Sequence, residues 1–121
     1  MSISDAESTV MEVLWRRSPC TAEEIIAALA GTVDWQPATI KTLINRLLRK
    51  RAIEAERDGR RYRYRPLLAR AHYLAQRSGD LVDRLFDGRI APLVAHFTEH
   101  RRLSRRDISD LRKLLEDLDH D

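Results

Sequence analysis

Apolar residues recur at helical spacing through the first fifty positions of the chain, and then the period switches to strict alternation. Between Asp5 and Arg17, the residues Ala6, Val10, Met11, Val13, Leu14 and Trp15 fall at spacings that form the inner side of a helix. Ser4 or Asp5 is placed to cap it, and Pro19 to end it. Thr21-Ala22-Glu23-Glu24 has the form of a capping box, with the Thr21 side chain capping and the Glu24 carboxylate reaching back to the Thr21 amide. It opens a short helix through Ile25, Ile26 and Leu29 that stops near Gly31. Pro37 suits the first turn of a third helix, because its missing N–H would have no partner there. That helix runs to about Arg51 on a buried stripe of Ile40, Leu43, Ile44, Leu47 and Leu48.

Beyond it, Ile53-Glu54-Ala55-Glu56-Arg57 alternates, Asp58-Gly59 signals a tight turn, and Arg61-Tyr62-Arg63-Tyr64-Arg65 alternates again until Pro66. Three helices followed by a β-hairpin is the order of a winged helix-turn-helix. The rest of the chain is helical. One stripe runs through Leu74, Leu81, Val82, Leu85 and Phe86, interrupted by Gly79, and a second through Ile90, Leu93, Val94 and Phe97. Ser104-Arg105-Arg106-Asp107 forms another cap, leading into Ile108, Leu111, Leu114, Leu115 and Leu118. The expected fold is therefore mainly α with a small β-hairpin wing. Residues 1–67 form a winged-helix domain, and residues 68–121 a helical dimerisation region. The last three helices carry too little apolar mass for a core of their own. Pairing with a second copy would bury Leu81, Leu85, Phe86, Leu93, Val94, Phe97, Leu111 and Leu115.

Net charge, +3 over 121 residues, changes this picture only through its distribution. Residues 1–35 sum to −4, residues 36–70 to +8 and residues 71–121 to −1. A basic middle third fits a polyanion-binding element if its charges share a face. On the third helix they do. With the apolar stripe assigned, Thr39, Lys41, Thr42, Asn45, Arg46 and Arg49 remain, and positions 42, 45, 46 and 49 recur at spacings of three and four. Arginine can read guanine, asparagine can pair with adenine, and a threonine methyl can meet thymine. No acidic residue occurs from Gln36 through Ala52, unlike an ordinary solvated face of Glu–Lys pairs. Lys50 extends the set at the end of this helix. On the hairpin, Tyr62 and Tyr64 share one side and are expected to pack with Ile53 and Ala55 against the helices. Arg61, Arg63 and Arg65 would then face outward, with Arg60 at the turn, suited to phosphate contact. A stacking platform of the two tyrosines for single-stranded nucleic acid is the competing reading.

No apolar run approaches the roughly 18 residues of a membrane span, and the N-terminus lacks a signal-peptide pattern, so a cytoplasmic protein is expected. No cofactor is expected, nor a catalytic site: there is neither a nucleophile-elbow pattern nor a phosphate-cradling glycine loop. His96-Phe97-Thr98-Glu99-His100 matches the H-x-x-E-H pattern of a group of zinc proteases, but too little chain follows to supply a third ligand-bearing helix. A regulatory metal at these histidines, or a redox switch at the single cysteine, Cys20, are alternatives to plain structural roles.

Taken together, these segments resemble the penicillinase repressor family, the BlaI/MecI/CopY group of bacterial regulators. The resemblance is carried by Val10-Met11-Glu12-Val13-Leu14-Trp15, Thr21-Ala22-Glu23-Glu24-Ile25, Trp35-Gln36-Pro37-Ala38-Thr39-Ile40-Lys41-Thr42-Leu43 and Asn45-Arg46-Leu47. It continues in Asp58-Gly59-Arg60, Tyr62-Arg63-Tyr64-Arg65-Pro66-Leu67, Leu85-Phe86-Asp87-Gly88 and Pro92-Leu93-Val94-Ala95-His96-Phe97, over nearly the whole chain. It implies a homodimeric repressor bound to double-stranded, inverted-repeat operator DNA, with contacts from Thr39, Lys41, Thr42, Asn45 and Arg46 and a wing near Arg60 and Arg61. It also implies release by a membrane-bound sensor protease under cell-wall or β-lactam stress. The aligned bond is His96–Phe97, where a histidine replaces the usual asparagine. The cysteine-rich motif of copper-responsive members has no counterpart. A non-specific architectural DNA-binding protein is the alternative function.

Overall fold

The first helix begins where the serine at position 4 can close its end. In the computed structural model, which describes residues 2–120, the Ser4 hydroxyl accepts from the Glu7 amide at 3.1 Å while the Glu7 carboxylate accepts from the Ser4 amide at 2.7 Å. Helix α1 then spans Asp5–Arg16. The same reciprocal cap at Thr21 and Glu24 opens α2 (Ala22–Leu29), and Pro37 occupies the first turn of α3 (Pro37–Arg49). Strands β2 (Ile53–Asp58) and β3 (Arg61–Pro66) pair antiparallel, with Ile53 opposite Pro66 and Asp58 opposite Arg61. The loop is thus Gly59-Arg60, one residue later than the Asp58-Gly59 signal. Gly59 sits at φ 65°, the left-handed value that the first position of a two-residue hairpin loop requires. Beyond the sheet lie α4 (Arg70–Leu85), α5 (Ile90–Glu99) and α6 (Arg105–Asp119), the last with a Ser104–Asp107 capping box.

One element was not legible from the sequence pattern. Cys20–Thr21 forms a short strand, β1, which pairs with β3 through Cys20 opposite Tyr64 and Thr21 opposite Arg63, giving the sheet order β1-β3-β2. Two residues cannot show an alternation. What makes them a strand is the edge that β3 offers them.

The chain divides into two compact units, one up to Leu74 and one from Ala75 onward. The first extends past the expected 67/68 boundary because Leu68 is buried and its carbonyl accepts from the Trp15 indole at 2.8 Å. Tyr73 stacks at a tilt on Trp15, 5.4 Å between centroids, and Arg70 pairs with Glu12 at 3.1 Å. The core of this unit is Val10, Met11 and Leu14 of α1, Ile25 and Leu29 of α2, and Ile40, Leu43, Ile44 and Leu47 of α3, closed by Cys20, Ala52, Ile53 and Leu68. Each large aliphatic side chain so buried contributes about 1.5–3 kcal/mol. The expectation for the wing tyrosines needs correction. Tyr64 is half-buried on the core, but Tyr62 is 51% exposed and Ala55 is exposed, because Ala55 lies on the edge strand β2 and Tyr62 lies beyond the two residues of β3 that β1 covers.

A buried charge ties the start of α1 to the end of α3. Glu7 is buried, and its Oε1 accepts from the Lys50 ammonium at 2.6 Å, while Lys50 also donates to the Ser2 carbonyl at 3.0 Å. The second oxygen, Oε2, is buried without a hydrogen-bond partner among the described residues. Burial alone would raise the Glu7 pKa, but hydrogen bonds from Lys50 and Ser4 outweigh it and hold the carboxyl below its ordinary value. A depressed carboxyl stabilises the fold above its unfolded pKa, about 4.3, and that contribution disappears as pH falls through the lower folded value. Urea unfolding should therefore show an acid limb below about pH 4.3 that Glu7→Gln flattens. Lys50→Ala at neutral pH should destabilise by about 1–3 kcal/mol, since it leaves the carboxylate buried without its cation.

Candidate nucleic-acid interface

Helix α3 has two chemically distinct sides. Its inner side is buried, and on its outer side Thr39, Lys41, Thr42, Asn45, Arg46 and Arg49 are all exposed. The Thr42 hydroxyl donates back to the Ala38 carbonyl at 3.0 Å, which leaves its methyl as the group free for contact. The helix thus presents amide, ammonium and guanidinium donors with no carboxylate among them. These are groups that hydrogen-bond to base edges and phosphates.

The hairpin stands across from this face. A groove of about 290 Å³ is lined by Lys41 and Asn45 of α3, by Arg60, Arg61 and Tyr62 of the wing, and by Glu23 of α2, with Ile44 and Tyr64 among the remaining lining residues. Tyr62 therefore belongs to this surface. Alternation alone could not reveal it, since Tyr62 and Tyr64 share a face. What separates them is position along β3, where β1 pairs at Tyr64 and Arg63 and stops short of Tyr62.

Not every arginine of the wing is available. Glu54, Glu56 and Asp58 stand opposite Arg65, Arg63 and Arg61 on one face of the sheet. Arg63 donates through Nε to Asp58 at 2.8 Å, and that hydrogen bond raises its already high pKa. Arg65 pairs with Glu56 and lies 3.7 Å from Glu54. No ion pair engages Arg60 or Arg61 among the described residues. Lys50 is exposed, but its ammonium donates to Glu7 and to the Ser2 carbonyl, which makes it a tether of α3.

A helical triad with its third helix exposed beside a basic two-stranded wing is a winged helix-turn-helix. The model of the family described as penicillinase repressor matches residues 3–117. The chain belongs to the penicillinase repressor family. It is 35% identical to the penicillinase repressor of Bacillus licheniformis over 115 residues, covering 95% of this chain and 90% of that one. It is 33% identical to the methicillin resistance regulatory protein MecI of Staphylococcus aureus strain N315 over 113 residues, 93% of this chain and 92% of that one. Among solved structures, the monomeric form of Bacillus licheniformis BlaI in complex with the blaP half-operator matches with a TM-score of 0.54 and 38% identity, covering 60% of this chain and 89% of that one. The protein is a transcriptional repressor and not an enzyme.

The remaining candidates of the repressor fall outside the groove. Cys20 is a buried strand residue rather than a loop thiol. Burial, and then the Glu24 carboxylate, push its pKa up, and its thiol donates to the Arg17 carbonyl at 2.7 Å. That is the reverse of the lowered pKa a thiol redox switch needs. His96 lies in α5 and His100 is its C-cap, both exposed, and no group of three or more metal-ligating side chains occurs among the described residues. Of the residues assigned to dimerisation, Leu81, Leu85, Phe97 and Leu115 are exposed, and Phe86, Leu93, Val94 and Leu111 half-buried.

The pairing pattern separates the wing arginines by experiment. Replacing Arg61 with alanine should lower the slope of log affinity against log salt by about 1 and weaken binding to all duplexes alike. Arg63→Ala should change it clearly less, because Asp58 already neutralises that charge. Fluorescence anisotropy titrations at several salt concentrations make the comparison, and equal slopes for the two variants would refute it.

Proposed function

We propose that this repressor binds an inverted-repeat operator as a homodimer, with α3 in the major groove of each half-site and the wing against the flanking backbone. The observation that carries the reading is the common groove in which Lys41 and Asn45 of α3 face Arg60, Arg61 and Tyr62 of the wing. It juxtaposes groups that read bases with groups that neutralise phosphate. Thr39, Thr42, Arg46 and Arg49 continue the reading face, while Arg63 contributes little until its pairing with Asp58 opens. The relative solved with a half-operator supports the choice of duplex DNA as ligand.

The second unit supports the two-fold arrangement. No described residue of α4, α5 or α6 is buried, yet Leu81, Leu85, Leu114, Leu115 and Leu118 are between 44% and 68% exposed. Helices with such faces gain stability only by covering them, and a second copy supplies the matching surface. Repression then consists of occupying the promoter in the cytoplasm. A membrane-bound sensor protease acting at His96–Phe97 would release it. Because that bond lies inside α5, cleavage requires the turn to unwind.

Selection of bound fragments from a random DNA library should enrich a short inverted repeat, whereas recovery of unbiased DNA would point to an architectural binder. Arg46→Ala should weaken binding to the preferred site by about 1–3 kcal/mol and relax sequence choice at one position per half-site. Leu115→Asp should convert the dimer to a monomer in sedimentation and cost about a hundredfold or more in operator affinity, while leaving weak half-site binding. A Leu115→Asp protein that stays dimeric and binds normally would remove α6 from the interface.

A further inference from the structure

The two histidines of α5 are four residues apart, one helical turn, which brings their rings together on one side of the helix. Their centroids are 4.4 Å apart and their planes tilted by 58°. His96 is flanked by aromatic rings, with Phe86 at 6.2 Å and Phe97 at 5.6 Å between centroids. Both histidines are exposed, and neither ring makes a hydrogen bond or ion pair to any described residue. The imidazole nitrogens thus have no hydrogen-bond partner among the described residues, and the two rings lie side by side at 4.4 Å between centroids.

We propose that His96 and His100 form a binding site for a divalent late first-row metal ion of the zinc, nickel and copper class. Neutral imidazole is a preferred ligand of these ions, and two histidines one turn apart can share one ion without backbone rearrangement. Two protein ligands are fewer than the four of structural zinc or the three of catalytic zinc, and the outward side of the site is open to solvent. The bound ion therefore keeps water in its remaining positions and exchanges readily, as a regulatory site requires. His100 is the C-cap of α5, and its amide donates to the His96 carbonyl at 3.2 Å. A chelate across these side chains closes the same turn a second time. That turn contains the His96–Phe97 bond, so the occupied site holds shut the backbone that cleavage would have to open.

Isothermal titration of the tag-free full chain with zinc chloride, and separately with nickel chloride, tests the site. One ion per chain should bind. His96→Ala and His100→Ala should each weaken binding about tenfold or more, and the double variant should abolish it. His72→Ala and His120→Ala, which alter the other two histidines, should leave it unchanged. Because both rings are exposed, circular dichroism of the variants should match the wild type. Hydrogen exchange should show the amides of residues 97–100 slowed by zinc in the wild type and unaffected in the double variant. Absence of binding at millimolar metal, or equal binding by the double variant, would overturn the proposal.

Discussion

Helix α3 has to be anchored on one side and bare on the other, and most of this fold follows from that constraint. Ile40, Leu43, Ile44 and Leu47 are inserted among Val10, Met11 and Leu14 of α1 and Ile25 and Leu29 of α2. Burial of that stripe fixes the rotation of the helix about its own axis, and so decides which residues reach solvent. Every polar residue from Thr39 to Arg49 then lies on the free side as a consequence of helical geometry. The Glu7–Lys50 pair adds a polar tether at the far end, between the first turn of α1 and the C-cap of α3. Burial on one side and the tether at the end together hold the exposed polar side of α3 in a fixed orientation.

Electrostatics on the wing follows a different logic. The middle third of the chain carries +8, which suggests a uniformly basic surface. Antiparallel pairing instead sets three carboxylates of β2 against three arginines of β3, and two of those arginines close on acidic neighbours. Cross-strand pairs of this kind favour the correct hairpin register. They leave Arg57, Arg60 and Arg61 as the arginines of the wing without an ion pair among the described residues, and Arg60 and Arg61 line the groove with α3. The unpaired basic surface is accordingly smaller and more sharply placed than the charge count implies.

The second unit has the opposite character to the first. Its helices are well begun, by the Ser104 capping box and by the left-handed corner at Asp87 and Gly88, with φ of 54° and 75°. Local signals of that kind specify helices without specifying what covers them. Exposed leucines on α4 and α6 leave apolar area in water that a single copy of these helices does not remove.

Local chemistry was sufficient for much of this. The order of the helices, the Thr21–Glu24 capping box, the cap before α6, Pro37 in the first turn, the hairpin and the polar face of α3 depend on interactions within a few residues, and these can be read directly from spacing. Other features depend on residues far apart in the chain, and only the tertiary structure decided them. Strand β1 exists because β3 passes beside Cys20, and Cys20 is inert because the core closes over it. Lys50 turns inward because Glu7, forty-three positions earlier, is buried beneath it. Tyr62 is exposed and Tyr64 half-buried because β1 pairs with β3 at Tyr64 and does not reach Tyr62, which alternation along a strand does not encode. Sequence spacing determines which residues share a face. Packing determines what that face meets, because burial and charge pairing arise only when distant segments are brought together.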